Sequence, residues 1–353
     1  MGERKKRILF QLSFVAISCI IIEVVLRGMG YPPGDLRPNW LKLYPVDSLV
    51  LVHDFYTNDK GVLIADSNYW AKEKIHINKD GFRGKEFTEL DSSKKKVLFI
   101  GDSFTWGMSA SPFQDSSFCD ILGRETNYEI INTGIPAADP TQYEEIAKEF
   151  VPALKPDYVV VVFFMGNDLM KWEREVIPGR QFYYWTNAGA ILADIDGKHF
   201  NSAQEAYNYL VSDKYFLKNP AHWYEGIIAK SSLLSRLYAV RYRLQEKMEY
   251  NNLLKNTSIT KNHLKGIVQL CDNAKVPLKF VLIPEYKEAN MDTAAYRKQY
   301  ADLLNDETLK NYWLITPTGK KLFKANPDGH LNNDGHRFYA ALLKQFLAST
   351  IRN

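Results

Sequence analysis

A serine, a histidine and an asparagine, each just past an apolar run or in a tight Gly-containing loop, have the types and spacing for acyl-transfer chemistry. Ser103 follows Val97-Leu98-Phe99-Ile100 and Gly101-Asp102, where a helix should begin, so its hydroxyl meets the positive end of a helix dipole. A serine hydroxyl is a weak nucleophile at neutral pH. It needs a base, a group to orient that base, and donors for the tetrahedral oxyanion. His330 is the expected base, and Asp328, two residues earlier on the same loop, is the expected orienting acid. The expected oxyanion donors are the backbone N–H of Ser103, the backbone N–H of Gly134 in Asn132-Thr133-Gly134-Ile135-Pro136, and the side-chain amide of Asn167 in Gly166-Asn167-Asp168. Gly134 suits the role because glycine permits close backbone approach. A rival base is His336, since Asp334-Gly335-His336 repeats the tripeptide. Its place in the first turn of the last helix suits a supporting role, so His330 is preferred. His53, His76, His199, His222 and His263 have no catalytic partner in the sequence.

These residues need a scaffold that brings them together. From Lys96 onward, short β-branched or aromatic runs alternate with longer helical stretches: Val97 to Ile100, Tyr128 to Ile131, Tyr158 to Phe164, Leu278 to Ile283 and Tyr312 to Ile315. Continuous apolar runs of this length read as strands buried on both faces. The chain ends in a helix from about Gly335 to Ser349 with apolar residues at helical spacing. The expected fold class is α/β: a three-layer α/β/α sandwich on a five-stranded parallel sheet, flavodoxin-like, in which strand ends converge on one cleft.

Three divisions follow from punctuation: residues 1–30 as a cytoplasmic tip and anchor, 31–92 as a β-rich segment, and 93–353 as the catalytic domain. The domain carries an insertion at about 170–260, dense in aromatics such as Trp172, Phe182, Tyr183, Tyr184, Trp185, Trp223 and Tyr224. It starts directly after Asn167-Asp168, at the edge of the expected site. Core filling is the expected fate of most of these rings, with stacking on sugars the minority reading. Within it, Ser231 to Tyr250 reads as an amphipathic helix carrying Leu233, Leu234, Leu237, Val240 and Leu244 on one side, most of them expected to serve packing rather than substrate contact.

Residues 8–26 form a 19-residue, mostly apolar stretch preceded by Arg4-Lys5-Lys6-Arg7, near the ~20 residues that span a bilayer. The basic flank predicts an N-in orientation with the rest of the chain extracytoplasmic, periplasmic or at the cell surface. An uncleaved anchor is preferred to a signal peptide because no small-x-small site follows directly. Glu23 is costly at membrane depth unless it lies near the interface or has a partner. Beyond residue 30 the charges nearly cancel, which leaves no electrostatic footprint for nucleic acid. Cys19, Cys119 and Cys271 make no disulfide framework; buried free thiols at 119 and 271 are expected, with a pair between them left open. The chain shows no zinc spacing. Asp194-Ile195-Asp196-Gly197 starts like a calcium loop without the closing acid, so a plain turn is expected. The chemistry calls for no metal or cofactor, and the oligomeric state is not readable.

The pattern resembles the SGNH/GDSL hydrolase family over roughly residues 75 to 350, through Gly101-Asp102-Ser103, Gly134, Gly166-Asn167-Asp168 and Asp328-Gly329-His330. Asn78-Lys79-Asp80-Gly81-Phe82-Arg83-Gly84 is similar to a segment that precedes the serine block in membrane-anchored or secreted members. Two spacings differ: glycine touches Asn167 directly, and one residue rather than two separates Asp328 from His330. The resemblance implies Ser103 as nucleophile, Gly134 and Asn167 as oxyanion donors, and His330 with Asp328 as base and acid. The function this implies is a serine esterase acting on acyl, chiefly acetyl, esters of an envelope or extracellular glycan. Alternatives are a glycan O-acyltransferase on the same residues, a lipase or thioesterase, and a non-catalytic glycan-binding or assembly protein.

Overall fold

The structure is a computed structural model that describes residues 2–31, 33, 50–57, 63–65, 67, 71, 74–112, 116–136, 138–170, 179–186, 189–193, 225–228, 230–324 and 329–351. The chain divides into two compact units. One comprises Met1–Leu51, Tyr184–Ile191 and Phe200–Asn251; the other comprises Val52–Tyr183, Leu192–His199 and Asn252–Asn353. Asp328, Trp172, Trp223, Tyr224 and the 194–197 turn lie outside the described residues.

The elements, in chain order, begin with α1 (Glu3–Gly28), β1 (Val50–Thr57), β2 (Leu63–Ala65), β3 (Lys95–Gly101), α2 (Ser103–Trp106), α3 (Phe118–Glu125) and β4 (Tyr128–Gly134). Next come α4 (Pro140–Leu154), β5 (Tyr158–Phe164), β6 (Gly179–Thr186), β7 (Gly189–Ala193), α5 (Glu225–Ile228), α6 (Ser232–Lys255) and α7 (Ser258–Ala274). The chain closes with β8 (Leu278–Ile283), α8 (Thr293–Gln299), α9 (Ala301–Leu304), β9 (Trp313–Leu314) and α10 (Asn333–Thr350).

Five parallel strands form one sheet in the order β4-β3-β5-β8-β9. Successive side chains of a strand point to opposite faces, and both faces here are covered. Leu98, Ile100, Val159, Val161 and Phe163 join a core with Tyr143 and Ile146 of α4 and Leu264 and Ile267 of α7. Val97, Phe99, Val160 and Val162 join a second core with Phe118 and Leu122 of α3 and Tyr339 and Leu343 of α10. The result is the three-layer α/β/α sandwich, and double burial is why these strands read as unbroken apolar runs. Lys95 and Lys96 open β3 as a polar lead-in: Asp157 accepts from Lys95 Nζ at 3.0 Å and from the Lys96 N–H at 2.9 Å. Before the sheet, β1 and β2 pair antiparallel, with Phe55 opposite Ala65.

Caps explain where the helices start. Asp139 accepts from the N–H groups of Thr141 and Gln142 with Pro140 in the first turn of α4, and Ser117 and Asp120 form a reciprocal capping box at α3. Cys119 and Cys271 are buried free thiols on α3 and α7.

In the other unit, α1 has no buried residue, and it is the one helix among the described residues long and apolar enough to cross a membrane. The helix expected over Ser231 to Tyr250 is present as α6, with Leu233 half-buried and the rest of its apolar stripe exposed. Leu234, Leu237, Val240 and Leu244 are between 41% and 58% exposed. Helical spacing reports that a stripe exists and is silent on what covers it.

Candidate active site

β3 delivers Ser103. Asp102 accepts the Phe104 N–H at 2.9 Å and so starts α2, with Ser103 as its first residue. This is the carboxyl edge of the sheet beside the gap between β3 and β5. Strand order reverses there, since β4 lies on one side of β3 and the later strands on the other. Crevices outside such a reversal are where open α/β sheets bind ligands.

His330 arrives from a loop pinned at both ends. Phe323 bridges Leu331, the Lys324 N–H donates to the His330 carbonyl at 2.7 Å, and the Asn332 N–H donates to the Leu322 carbonyl at 3.0 Å. Gly329 turns at φ +70°, where a side chain would be strained. His330 Nε2 thereby lies 2.9 Å from Ser103 Oγ, across 227 positions of sequence. The Phe104 ring flanks the imidazole at 5.0 Å, and Phe164 lies 4.2 Å from Phe104. Asp102 is fully buried; desolvation raises its carboxyl, and the Phe104 N–H, the charge of His330 and Asn167 oppose that rise. An ionised Asp102 would in turn stabilise the imidazolium that forms when His330 takes a proton.

Asn167 comes from the turn after β5, and its Nδ2 donates to Asp102 Oδ2 at 3.4 Å. The neighbouring Asp168 closes this turn. Its carboxylate accepts the Phe164 N–H at 2.8 Å and the Tyr143 hydroxyl at 3.0 and 3.1 Å. Burial, then the Asp102 charge, pushes the Asp168 carboxyl well above the usual carboxylate range.

The Gly134 N–H donates to Asn132 Oδ1 at 2.9 Å. A Cβ here would sit 2.5 Å from the Trp106 nitrogen and 2.6 Å from Thr105 Cβ. The glycine is needed so that β4 can approach the backbone of α2. Asn132, overlooked in the sequence, makes the matching contact by donating to the Thr105 carbonyl at 2.9 Å.

Arg83 was also missed as a supporting residue. Asn78 folds the Asn-Lys-Asp-Gly-Phe-Arg segment by accepting the Asp80 and Phe82 N–H groups, and Ile77 bridges Arg83. Arg83 then donates to the Trp106 carbonyl at 2.8 Å and to Asp120 at 2.7 Å, tying the end of α2 to α3. Arg83→Ala strips a buried, doubly bonded cation from this junction. It is expected to cost about 2 to 4 kcal/mol in denaturant unfolding. Arg83→Lys should recover only part of that, because an ammonium lacks the planar fork.

His336 is fully buried and accepts the Phe118 N–H at 3.3 Å with its ring against Phe118. Burial pushes its imidazole down to about 4. A histidine held neutral by the fold supports full stability above the ordinary imidazole value of ~6.5 and loses it as pH falls toward the folded value. Unfolding at pH 4.5 should therefore show a loss from this residue of about 2 to 3 kcal/mol relative to pH 7. His336→Gln, which keeps an acceptor for Phe118, should lose less over the same window; an equal loss removes the assignment.

Fold and site together define a serine–histidine pair on the carboxyl edge of a five-stranded α/β/α sandwich. Among solved structures, the chain is similar to a lipolytic protein of the G-D-S-L family from Desulfitobacterium hafniense (12% identity, 71% of this chain, 99% of that one, TM-score 0.37). It is also similar to a lipase/acylhydrolase from Enterococcus faecalis (13%, 73%, 97%, 0.36) and to an acetylxylan esterase from Geobacillus stearothermophilus (15%, 72%, 94%, 0.35). No family model matches the chain, and no curated protein matches it. These likenesses are remote, and the chemistry rests on the residues themselves.

Proposed function

We propose that this chain is a serine esterase of the SGNH type that cleaves small acyl esters through a Ser103 acyl-enzyme. The observation that carries the reading is the 2.9 Å contact between His330 Nε2 and Ser103 Oγ at the strand-order reversal. In the first half-reaction His330 takes the Ser103 proton as Oγ bonds to the ester carbonyl carbon. The protonated imidazole then gives that proton to the departing alkoxide, releasing the alcohol. Water, deprotonated by His330, attacks the acyl carbon; as the bond from that carbon to Oγ breaks, the imidazolium returns the proton to Ser103 Oγ and the carboxylic acid leaves. The Ser103 N–H and the Asn167 amide hold the oxyanion in both steps, and Asp328 and Asp102 offset the charge on His330.

The substrate class we propose is an acetylated envelope or extracellular glycan, reached by a catalytic domain held outside the membrane by α1. Support comes from the basic flank before the apolar stretch and from the aromatic-rich segment that follows Asn167-Asp168 in sequence. Acetate release from acetylated polysaccharides, measured with and without a glycan acceptor, tests this reading. Release that does not need the acceptor is expected, with weaker turnover on long-chain p-nitrophenyl esters. A strict need for the acceptor would make the protein a transferase, and preference for long chains would make it a lipase. A fluorophosphonate probe should label the protein and fail on Ser103→Ala; an unlabelled wild type would leave a non-catalytic protein.

A further inference from the structure

Glu23 is an acidic residue inside an otherwise apolar helix, and it is not left without partners. Its carboxylate accepts from Ser231 Oγ and from the N–H groups of Ser232 and Leu233, each at 2.8 Å, and from Arg27 Nε at 2.7 Å. Arg27 also donates to the Lys230 carbonyl at 2.7 Å, and Arg236 lies over the Tyr31 ring at 4.4 Å. The first turn of α6 is thus fastened to the far end of α1. Glu23 stands four residues before Arg27, ~6 Å along a helix of 1.5 Å rise, and so just inside the outer boundary of a bilayer spanned by residues 8–26.

The residues bonded to Glu23 sit at the same depth. Ile227 and Leu234 flank that junction and are 59% and 41% exposed. Leu237, Val240, Leu244 and Met248 continue from Leu234 at intervals of three and four and are between 53% and 65% exposed. At ~100° per residue the stripe from Leu234 to Met248 covers an arc of about 120°. Arg241 falls inside that arc, and over its whole length α6 carries Arg236, Arg241, Arg243, Lys247 and Lys255 against Glu246 and Glu249. A helix with an uncovered apolar stripe and a net positive charge suits the headgroup boundary of an anionic membrane.

We propose that α6 is a second membrane-contacting element: the Glu23 clamp seats its first turn at the bilayer interface, and the stripe from Leu234 to Met248 lies on an anionic lipid surface. The proposal rests on the reading of α1 as a retained anchor. It also gives that reading a structural purpose, since cleavage after α1 would remove the group that caps α6.

The test uses the full-length protein in vesicles of phosphatidylcholine with phosphatidylglycerol. One preparation carries an environment-sensitive fluorophore at the native, exposed Cys19; a second carries it at Leu244→Cys in a Cys19→Ser background, Cys119 and Cys271 being buried. Both labels should be quenched by spin-labelled lipid and little by iodide, position 244 more by shallow than by deep spin labels. Glu23→Ala should cut lipid quenching at 244 by about twofold or more while leaving Cys19 unchanged. Lipid quenching at Cys19 with iodide quenching at 244 overturns the seating of α6 alone. Iodide quenching at Cys19 overturns the anchor reading and the seating with it. Label-to-label transfer at 244 that disappears when labelled protein is diluted with unlabelled protein would assign the stripe to a second copy and also overturn the proposal. An unchanged 244 signal in Glu23→Ala would overturn the clamp.

Discussion

Ser103→Ala should abolish turnover, a loss on the order of a millionfold in kcat, because no other group then forms the acyl-enzyme. His330→Ala should fall nearly as far. The 2.9 Å contact makes the two side chains one device, with the hydroxyl nucleophilic only while Nε2 removes its proton. Their effects are therefore non-additive, and the double variant should be no slower than Ser103→Ala. If instead the two losses multiplied, His330 would be acting somewhere other than on Ser103. Loss of folding is a poor alternative explanation, since Ser103 Oγ spends its bond on His330 and truncation opens no large cavity; melting temperatures close to wild type should accompany the loss. Histidine as the base also demands that kcat/KM rise with pH to a plateau as the base loses its proton. A profile that is flat from pH 5 to 8 would exclude it.

The parts of this protein legible in the sequence are those governed by local pattern. β3, β5 and β8 read as strands because burial on both faces leaves no polar alternation to confuse with a helix, and β5 and β8 match their expected bounds of Tyr158 to Phe164 and Leu278 to Ile283. β9, at two residues, carries too little pattern to bound. β6 and β7 lie in the aromatic-rich insertion, where Phe182, Tyr183, Tyr184 and Trp185 run on without the polar alternation that marks a strand, so the sequence indicates only the helix over Ser231 to Tyr250 there. The site divides along the same line. Serine and histidine stand out by type, and the structure brings Ser103 Oγ and His330 Nε2 to 2.9 Å. Gly134 marks a close approach without saying which atom approaches, and the structure brings Thr105 and Trp106 against it. Arg83 was missed because a single arginine in a loop ordinarily faces solvent. Its signal was Asn78 five residues earlier, whose side chain folds the turn and aims the guanidinium inward. For α6, periodicity fixes a face and not its neighbour.

Asn167→Ala should lower kcat by about 100- to 1000-fold, equivalent to about 2.7 to 4 kcal/mol of transition-state stabilisation, with KM little changed. The argument starts from how firmly the amide is held. Asp168 locks the turn through the Phe164 N–H and the Tyr143 hydroxyl, and Asp102 accepts one Asn167 proton at 3.4 Å, a long bond that leaves the amide inexpensive to redirect. A donor placed in this way is worth most when charge has developed on the carbonyl oxygen, so its loss should appear in kcat rather than in substrate binding. Asn167→Asp separates this role from simple packing. It preserves size but replaces the donor with an acceptor and sets a negative charge beside Asp102 and the developing oxyanion. Its activity should fall below that of Asn167→Ala, whereas a residue that only filled space would tolerate aspartate better than alanine. Wild-type kcat in Asn167→Ala would strike the asparagine from the mechanism while leaving the Ser103–His330 pair intact.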